Sequence, residues 1–505
     1  MFSRNHAMAA AMLALAVAGC GMPPQRETPP PPTSASSSPP PSSATPTGSG
    51  SPAQDVGPAL AETRSTLTED FKLEVVGLNR VKGKHLVVQL RLSNTGKKDL
   101  PWTGELGDHT RSLGQIRWAS GIGVLDAAAH TWLLPYQPDG SPCLCSDQER
   151  GDLPYAIPPG ESITVYAVVP APSGNPATAT VVTPVAPPMP DVPISDEPPA
   201  GDFPDPDAQH VMPIVRRIVT PSESLDKADE IADNGTDLQV NLSSDVLFAI
   251  DKATLTGKAR AVLARTAKLI DASPAAVVRV EGHADATGNH AINDPLSERR
   301  AQAVQRELES LVTRDGVRFQ ARGYGSRRPL YDNGTEEGRR RNRRVTVTFA
   351  KPQERQEPAA DTAQTSEPAA VKAGDGQPFS MKVTGLRRLP GGLGLLTYTI
   401  TNEGSAETWY NDLHQAQDWE SYIYQAASNV RLTDPAGRRR YLPGRLQVGK
   451  DLYCACTDLS GVRSSTEKYA PGQTRTFWDL FALPDEAATL QVEIATFPRL
   501  DLSVG

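Results

Sequence analysis

The sequence predicts a multidomain chain, with a central α/β domain flanked by two all-β sandwich modules. Three observations predict it. Two distant segments repeat each other in the same order, with Asn94/Asn402 and Gly96/Gly404 sharing one offset. Strand-like and helix-like periodicities alternate in the region between them. A short apolar run and a Pro/Ser/Thr-rich stretch precede the first copy. At 505 residues the chain is too long for one ordinary domain. The formal net charge of -8 argues against a nucleic-acid partner, which would need a clustered basic face.

The chain opens MFSRNHAMAAAMLALAVAGC, with Arg4 ahead of an apolar run from Ala7 to Ala18. That run is too short to cross a bilayer and reads as the core of a signal peptide over 1–20. Its end, Val17-Ala18-Gly19-Cys20, resembles a bacterial lipobox. The resemblance implies that Cys20 is the lipid attachment site and that the lipid ties the chain to a membrane. Residues 21–66 are rich in Pro, Ser and Thr, cannot bury a core, and read as a disordered tether. No later run is apolar enough to predict a transmembrane helix.

The first β module is expected over 67–187 and the second over 378–505. FKLEVVGL (71–78) matches FSMKVTGL (379–386), and LVVQLRLSNTG (86–96) matches LLTYTITNEG (395–404). SPCLCSD (141–147) matches LYCACTD (452–458), and IPPGESITVYAVVP (157–170) matches YAPGQTRTFWDLFALP (469–484). Alternating apolar and β-branched runs between Gly, Pro and Asn turns argue antiparallel strands. The modules resemble small immunoglobulin-like modules of secreted bacterial lipoproteins. Outside the cytoplasm, Cys143/Cys145 and Cys454/Cys456 are expected to form one disulfide within each module. Adjacent same-face residues of an ideal strand stand roughly 6.5–7 Å apart, at the limit for bridging, so each bridge needs a loop or bulge. Neither a metal site joining the four cysteines nor redox catalysis is expected.

Residues 188–236 read as a Pro/Asp-rich linker and lead-in, and 351–377 as a second linker. Between them, 237–350 alternates. A strand is expected over 238–248, a helix from Leu255 to Ile270, a strand over 276–281, a helix over 295–312 and strands over 317–325 and 342–349. Such alternation implies helices packed on one sheet. In the second helix Asp294 reads as the N-cap and Pro295 as the first helical residue. Leu296, Arg300 and Val304 fall on one line, so Arg300 sits at the edge of the buried face. A partly buried guanidinium is costly unless paired. The nearest candidate partner is Asp285, beyond the preceding strand. One carboxylate and one guanidinium beside a helix N-terminus suit a zwitterion, the Arg taking its carboxylate and the Asp its ammonium. The spacing alone leaves open a structural Asp–Arg salt bridge with no ligand.

The block Gly282, His283, Asp285, Gly288, Asn293, Leu296, Ser297, Arg300, Ala301, Val304 resembles the OmpA-like peptidoglycan-associating domain. DVLFAID upstream and Gly323, Gly325, Asn342, Arg343, Arg344 and Val345 downstream extend the resemblance over 237–350. It implies an OmpA-like βαβαβ sandwich that binds peptidoglycan through the diaminopimelate of stem peptides. The implied ligand-binding set is Asp285, Arg300, Asn293, Ser297, Gly288 and Arg344. The usual Thr before the Asp is Ala284 here, which removes a possible hydroxyl contact but spares the charge pair. His283 reads as a structural hydrogen-bonder, and His283 with His290 lacks further metal ligands. In the run RRRNRR (339–344), Asn342 and Arg344 read as structural and the other arginines as solvated.

No nucleophile elbow, P-loop or supported carboxylate pair is present, so no catalysis, cofactor or metal is expected. The expected function is non-covalent attachment of a lipid-anchored envelope protein to the cell wall. The alternative is an envelope interaction or assembly factor, whose β modules bind a protein or polymer partner while the OmpA-like domain only positions it. The tether and the Ala/Arg/Pro bias resemble a high-GC actinobacterial protein. That would place the lipid on the outer face of the plasma membrane, with a bacterial outer membrane as the other location.

Overall fold

A computed structural model of the chain describes residues 57–101, 105–110, 117–352, 360–363, 366–372, 375–414, 426–449, 451–458, 468–485 and 489–503. The expected signal peptide, the expected lipid-attachment residue Cys20 and most of the expected tether lie outside the described residues. All described residues belong to one compact unit, Pro52–Gly505. No helix among them is long and apolar enough to cross a membrane.

The tether ends sooner than expected. Ala61–Arg64 is already a strand, paired antiparallel with Lys72–Val75 at the edge of the first sheet. That sheet runs in the order Ala61–Arg64, Phe71–Val81, His85–Asn94, Ser162–Pro170. Its inner face packs on strands Gly123–Asp126, Thr178–Thr183 and Ala186–Pro193 through one core that includes Leu73, Leu90, Val124 and Val181. The second copy builds the equivalent sheet from Pro378–Leu389, Leu393–Asn402 and Thr474–Ala482, over a core that includes Phe379, Tyr398 and Val492.

The two copies repeat in register. Phe71 pairs with Asn94 and Phe379 with Asn402, and each ladder slips at the same place, between Val75 and Gly77 and between Val383 and Gly385. The repeated Asn and Gly have one job. Asn94 Nδ2 donates to the carbonyls of Lys98 and Ile157, both at 2.8 Å, and Asn402 Nδ2 to those of Ala406 at 2.9 Å and Tyr469 at 3.0 Å. Gly96 N and Gly404 N each donate back to that Asn Oδ1 at 2.9 Å. One amide thus satisfies the turn that ends the hairpin.

The expected linker over 188–236 is overturned. Val211–Ser224 is a strand that pairs with Thr131–Pro138 of the first copy, Arg439–Tyr441 and Arg445–Val448 of the second, and Asp229–Asp233 beside the central domain. It stitches all three regions into one 16-stranded sheet. Two prolines hide it in the sequence. Pro213 falls where the ladder shifts between Met212 and Ile214, a position that needs no donor, and Pro221 uses its carbonyl to accept from Leu442 N. The second linker is also shorter than expected, because Ala360–Ala363 and Ala369–Lys372 pair with Pro378–Leu389.

The central domain orders its strands Asp237–Ser243, Arg344–Ala350, Val277–Gly282, Arg318–Gly323, the last two parallel. Helices Ala259–Ala272 and His290–Leu311 pack on this sheet through Val262, Leu263, Val304 and Leu308. The expected strand over 238–248 stops at Ser243, and Ser244–Leu247 is a helical turn. Helix His290–Leu311 starts earlier than expected. Its N-cap is Asn289, whose Oδ1 accepts from Ile292 N at 3.1 Å, not Asp294. Gly288, at φ 80°, turns the chain so that Asn289 can cap, and Pro295 then sits inside the helix.

Candidate functional site

Two glycines bring the site together. A Cβ on Gly282 would lie 2.0 Å from Ser297 O, and one on Gly323 would lie 2.3 Å from Glu298 N. Only glycine lets the helix backbone rest on the ends of these parallel strands. Ser297 Oγ then accepts from Gly325 N at 2.9 Å and donates to Asp294 O at 2.9 Å. Asn293 Nδ2 donates to Thr287 O at 2.8 Å and holds the loop that carries Asp285. Gly288, Asn293 and Ser297 therefore position the Asp285 loop and the helix start.

Asp285 is 5% exposed. Its Oδ1 accepts from Thr287 N at 2.9 Å and from the Thr287 hydroxyl, and its Oδ2 pairs with Arg343 Nη1 at 2.7 Å. Burial opposes its charge, but Thr287 and Arg343 outweigh it and hold the carboxyl below its ordinary value. The hydroxyl that reaches this carboxylate comes from Thr287 in a chain with Ala284 before the Asp. The direct partner expected from the sequence was Arg300, and the structure puts Arg343 there instead. Arg343 Nη2 also meets Asp245 at 2.9 Å and Glu336 at 3.2 Å. These acids, Asp245 first, overcome burial and raise its basicity.

Arg300 is 9% exposed. Its Nε donates to Lys252 O at 3.0 Å, and its guanidinium lies over the Phe248 ring, 5.2 Å from the centroid. Among the described residues, no hydrogen bond or ion pair engages its terminal nitrogens. Burial lowers its basicity, against the attraction of Asp245, Asp251 and Asp285. Asp285 is thus an oriented carboxylate, and Arg300 is a guanidinium that senses its charge and has both terminal nitrogens unspent, the pair that suits a group carrying both charges.

Arg344 is corrected. It is 3% exposed and donates to Thr346 Oγ1 at 3.2 Å and to the carbonyls of Arg328 and Asn342, so it is a buried structural residue. Arg344 opens the strand Arg344–Ala350, whereas Arg343 is the C-cap of the short helix Glu336–Asn342 before it. The arginine run is not solvated either, because Arg341 is buried against Glu223 at 2.7 Å and Glu230 at 2.6 Å. His283 is 2% exposed and stacked on Tyr324, and burial, with Arg344 and Arg328, drives its pKa down to about 3.

The OmpA family model matches residues 247–343. The outer-membrane lipoprotein YfiB of Pseudomonas aeruginosa is 35% identical over 118 residues, which cover 23% of this chain and 68% of that one. The chain belongs to the OmpA family. Outer membrane porin F of Pseudomonas aeruginosa is 42% identical over 106 residues, 21% of this chain and 30% of that protein. Peptidoglycan-binding protein ArfA of Mycobacterium bovis is 38% identical over 104 residues, 20% of this chain and 31% of that protein. The chain spans about a third of the length of the first curated relatives it matches. The residues that the family model matches include Asp285, Arg300 and Arg343.

The cysteines lie outside that domain. Cys143 is joined to Cys145 and Cys454 to Cys456, with Cα atoms 5.4 Å and 5.2 Å apart, closer than an ideal strand allows.

Proposed function

We propose that the OmpA domain binds peptidoglycan non-covalently and ties this chain to the cell wall. Asp285 takes the ammonium, and Arg300 takes the carboxylate, of the diaminopimelate side chain in a stem peptide. The reading rests on one observation: Arg300 is buried with its terminal nitrogens unspent while the nearby Asp245 and Asp285 engage Arg343. A buried guanidinium that only braced the fold would have its terminal nitrogens hydrogen-bonded, as those of Arg344 and Arg341 are. Relatives named as a peptidoglycan-binding protein and as an outer-membrane lipoprotein support wall association and an envelope location. In the same reading, Cys20 carries the lipid and the tether spans the gap to the wall.

The test is co-sedimentation of the secreted chain with purified sacculi. Asp285→Ala and Arg300→Ala should each lower the bound fraction at least about tenfold, the scale of one charged hydrogen bond. Binding equal to wild type in both folded variants would reject the site.

A further inference from the structure

The two Cys-x-Cys pairs sit on the same framework in different surroundings. In the first copy Ser146 N donates to Tyr166 O at 3.0 Å and Val168 N to Leu144 O at 2.9 Å, which sets Cys145 opposite Ala167. In the second, Thr457 N donates to Trp478 O at 2.9 Å and Leu480 N to Ala455 O at 3.0 Å, which sets Cys456 opposite Asp479. Residues facing each other between hydrogen-bonded rungs bring their side chains closest. One bridge therefore faces a methyl group and the other a carboxyl. The sulfurs of Cys454 and Cys456 and a carboxyl oxygen of Asp479 all lie within 4.8 Å of one another.

Packing does not explain that carboxyl. Asp479 is 0% exposed, no cation pairs with it among the described residues, and the polar group set against it is the Tyr398 hydroxyl. Burial pushes it well above the usual carboxylate range, with the Tyr398 hydroxyl opposing only in part. Such a group destabilises the fold, and Ala167 closes the same site in the first copy without it. The second bridge also has an approach. Cys454 is partly exposed, and both cysteines line a cavity of about 80 Å³ between the β modules. Trp132, Trp478 and Tyr453 wall it, and the pairs Asp108–Arg216 and His109–Asp458 stand at its polar side. Cys143 and Cys145 are buried in the first core at 2% and 0% exposure.

We propose that Cys454–Cys456 is an exchangeable disulfide that accepts electrons from a protein or peptide dithiol entering the cavity, with Asp479 as proton source, while Cys143–Cys145 is a permanent brace. The partner's first thiolate attacks Cys454 Sγ. A mixed disulfide forms, the Cys454–Cys456 bond breaks, and its electron pair leaves on Cys456 Sγ, which takes the Asp479 proton. The partner's second thiolate then displaces Cys454 Sγ, which is protonated by water. The partner departs as a disulfide, oxidised by two electrons. Cys454 and Cys456 are left as thiols, and water returns the proton to Asp479. The sequence gives both pairs the same structural role; the carboxyl separates them.

The experiment uses the oxidised full chain and dithiothreitol. Aliquots are alkylated over time and each cysteine pair is quantified by peptide mass spectrometry. Cys454–Cys456 should open at least about tenfold faster than Cys143–Cys145 in the same molecules, and Asp479→Ala should slow that opening by about a hundredfold, the scale of one general acid. The Cys143–Cys145 rate should not move, and the Tm should stay level or rise. Asp479→Asn is the second variant, near in shape but without the proton. Equal opening of the two bridges in wild type, or undiminished opening of Cys454–Cys456 in either folded variant, would overturn the proposal. Failure of both variants to fold would make the carboxyl structural and overturn it as well.

Discussion

Two buried arginines of the OmpA domain are used in opposite ways. Arg341 spends its fork on acids: Nη1 meets Glu230 at 2.6 Å, Nη2 meets Glu223 at 2.7 Å and Nε meets Glu337 at 3.1 Å. Burial opposes its charge, but Glu230, Tyr331 and Glu223 overcome that and raise its basicity. Because Glu223 lies on Val211–Ser224, this closed network fastens the domain to the strand that stitches the molecule together. Arg300 is buried nearly as deeply, yet a carbonyl and an aromatic ring hold it while its terminal nitrogens stay uncommitted. A guanidinium closed by acids is a fastener, and one held only by its stem and Nε has charge left for a guest.

That contrast breaks or sharpens under substitution. The largest effect is expected from Arg341→Met, which strands Glu223 and Glu230 in the interior and should cost about 3–5 kcal/mol by guanidinium denaturation. A cost no larger than that of a solvated arginine would break the comparison. Arg300→Ala should lose much less stability but lower sacculus binding by about ten- to a hundredfold, with Arg300→Lys between, since an ammonium keeps the charge and loses the fork. Asp285→Asn should weaken binding about tenfold and still fold, because Arg343 keeps Asp245 and Glu336. The smallest effect is expected from Thr287→Val, which removes one hydroxyl from Asp285 and should weaken binding by less than about tenfold.

Acid supplies a further test. The Asp285 carboxyl is depressed in the folded chain, so its contribution is fully present above the unfolded value of about 3.9 and is lost as pH falls through the lower folded value. Sacculus binding measured from neutral pH downward should hold to about pH 4 and then fall. A fall near pH 6 would assign the ammonium to another group.

The central domain was legible because its constraints are local. Gly282 and Gly323 mark where a helix rests on strand ends, and Asp285 and Arg300 stand at fixed steps from them. The repeat was legible because Asn94 and Asn402 solve the same turn. What escaped was set by distant chain. Val211–Ser224 reads as linker because its prolines look like breakers, and only its partners make them harmless. Asp294-Pro295 mimics a helix start, but Gly288 lets Asn289 cap one turn earlier. Arg343 rather than Arg344 meets Asp285, because the short helix Glu336–Asn342, which the sequence reading lacks, ends on Arg343 before the strand begins.

The most direct measurement is calorimetric titration of the chain with two stem peptides, one carrying diaminopimelate and one carrying lysine at that residue. They differ by the single carboxylate assigned to Arg300. The account predicts that the lysine peptide binds wild type at least about tenfold more weakly and that Arg300→Ala erases the difference. Equal affinity of wild type for both peptides would contradict it.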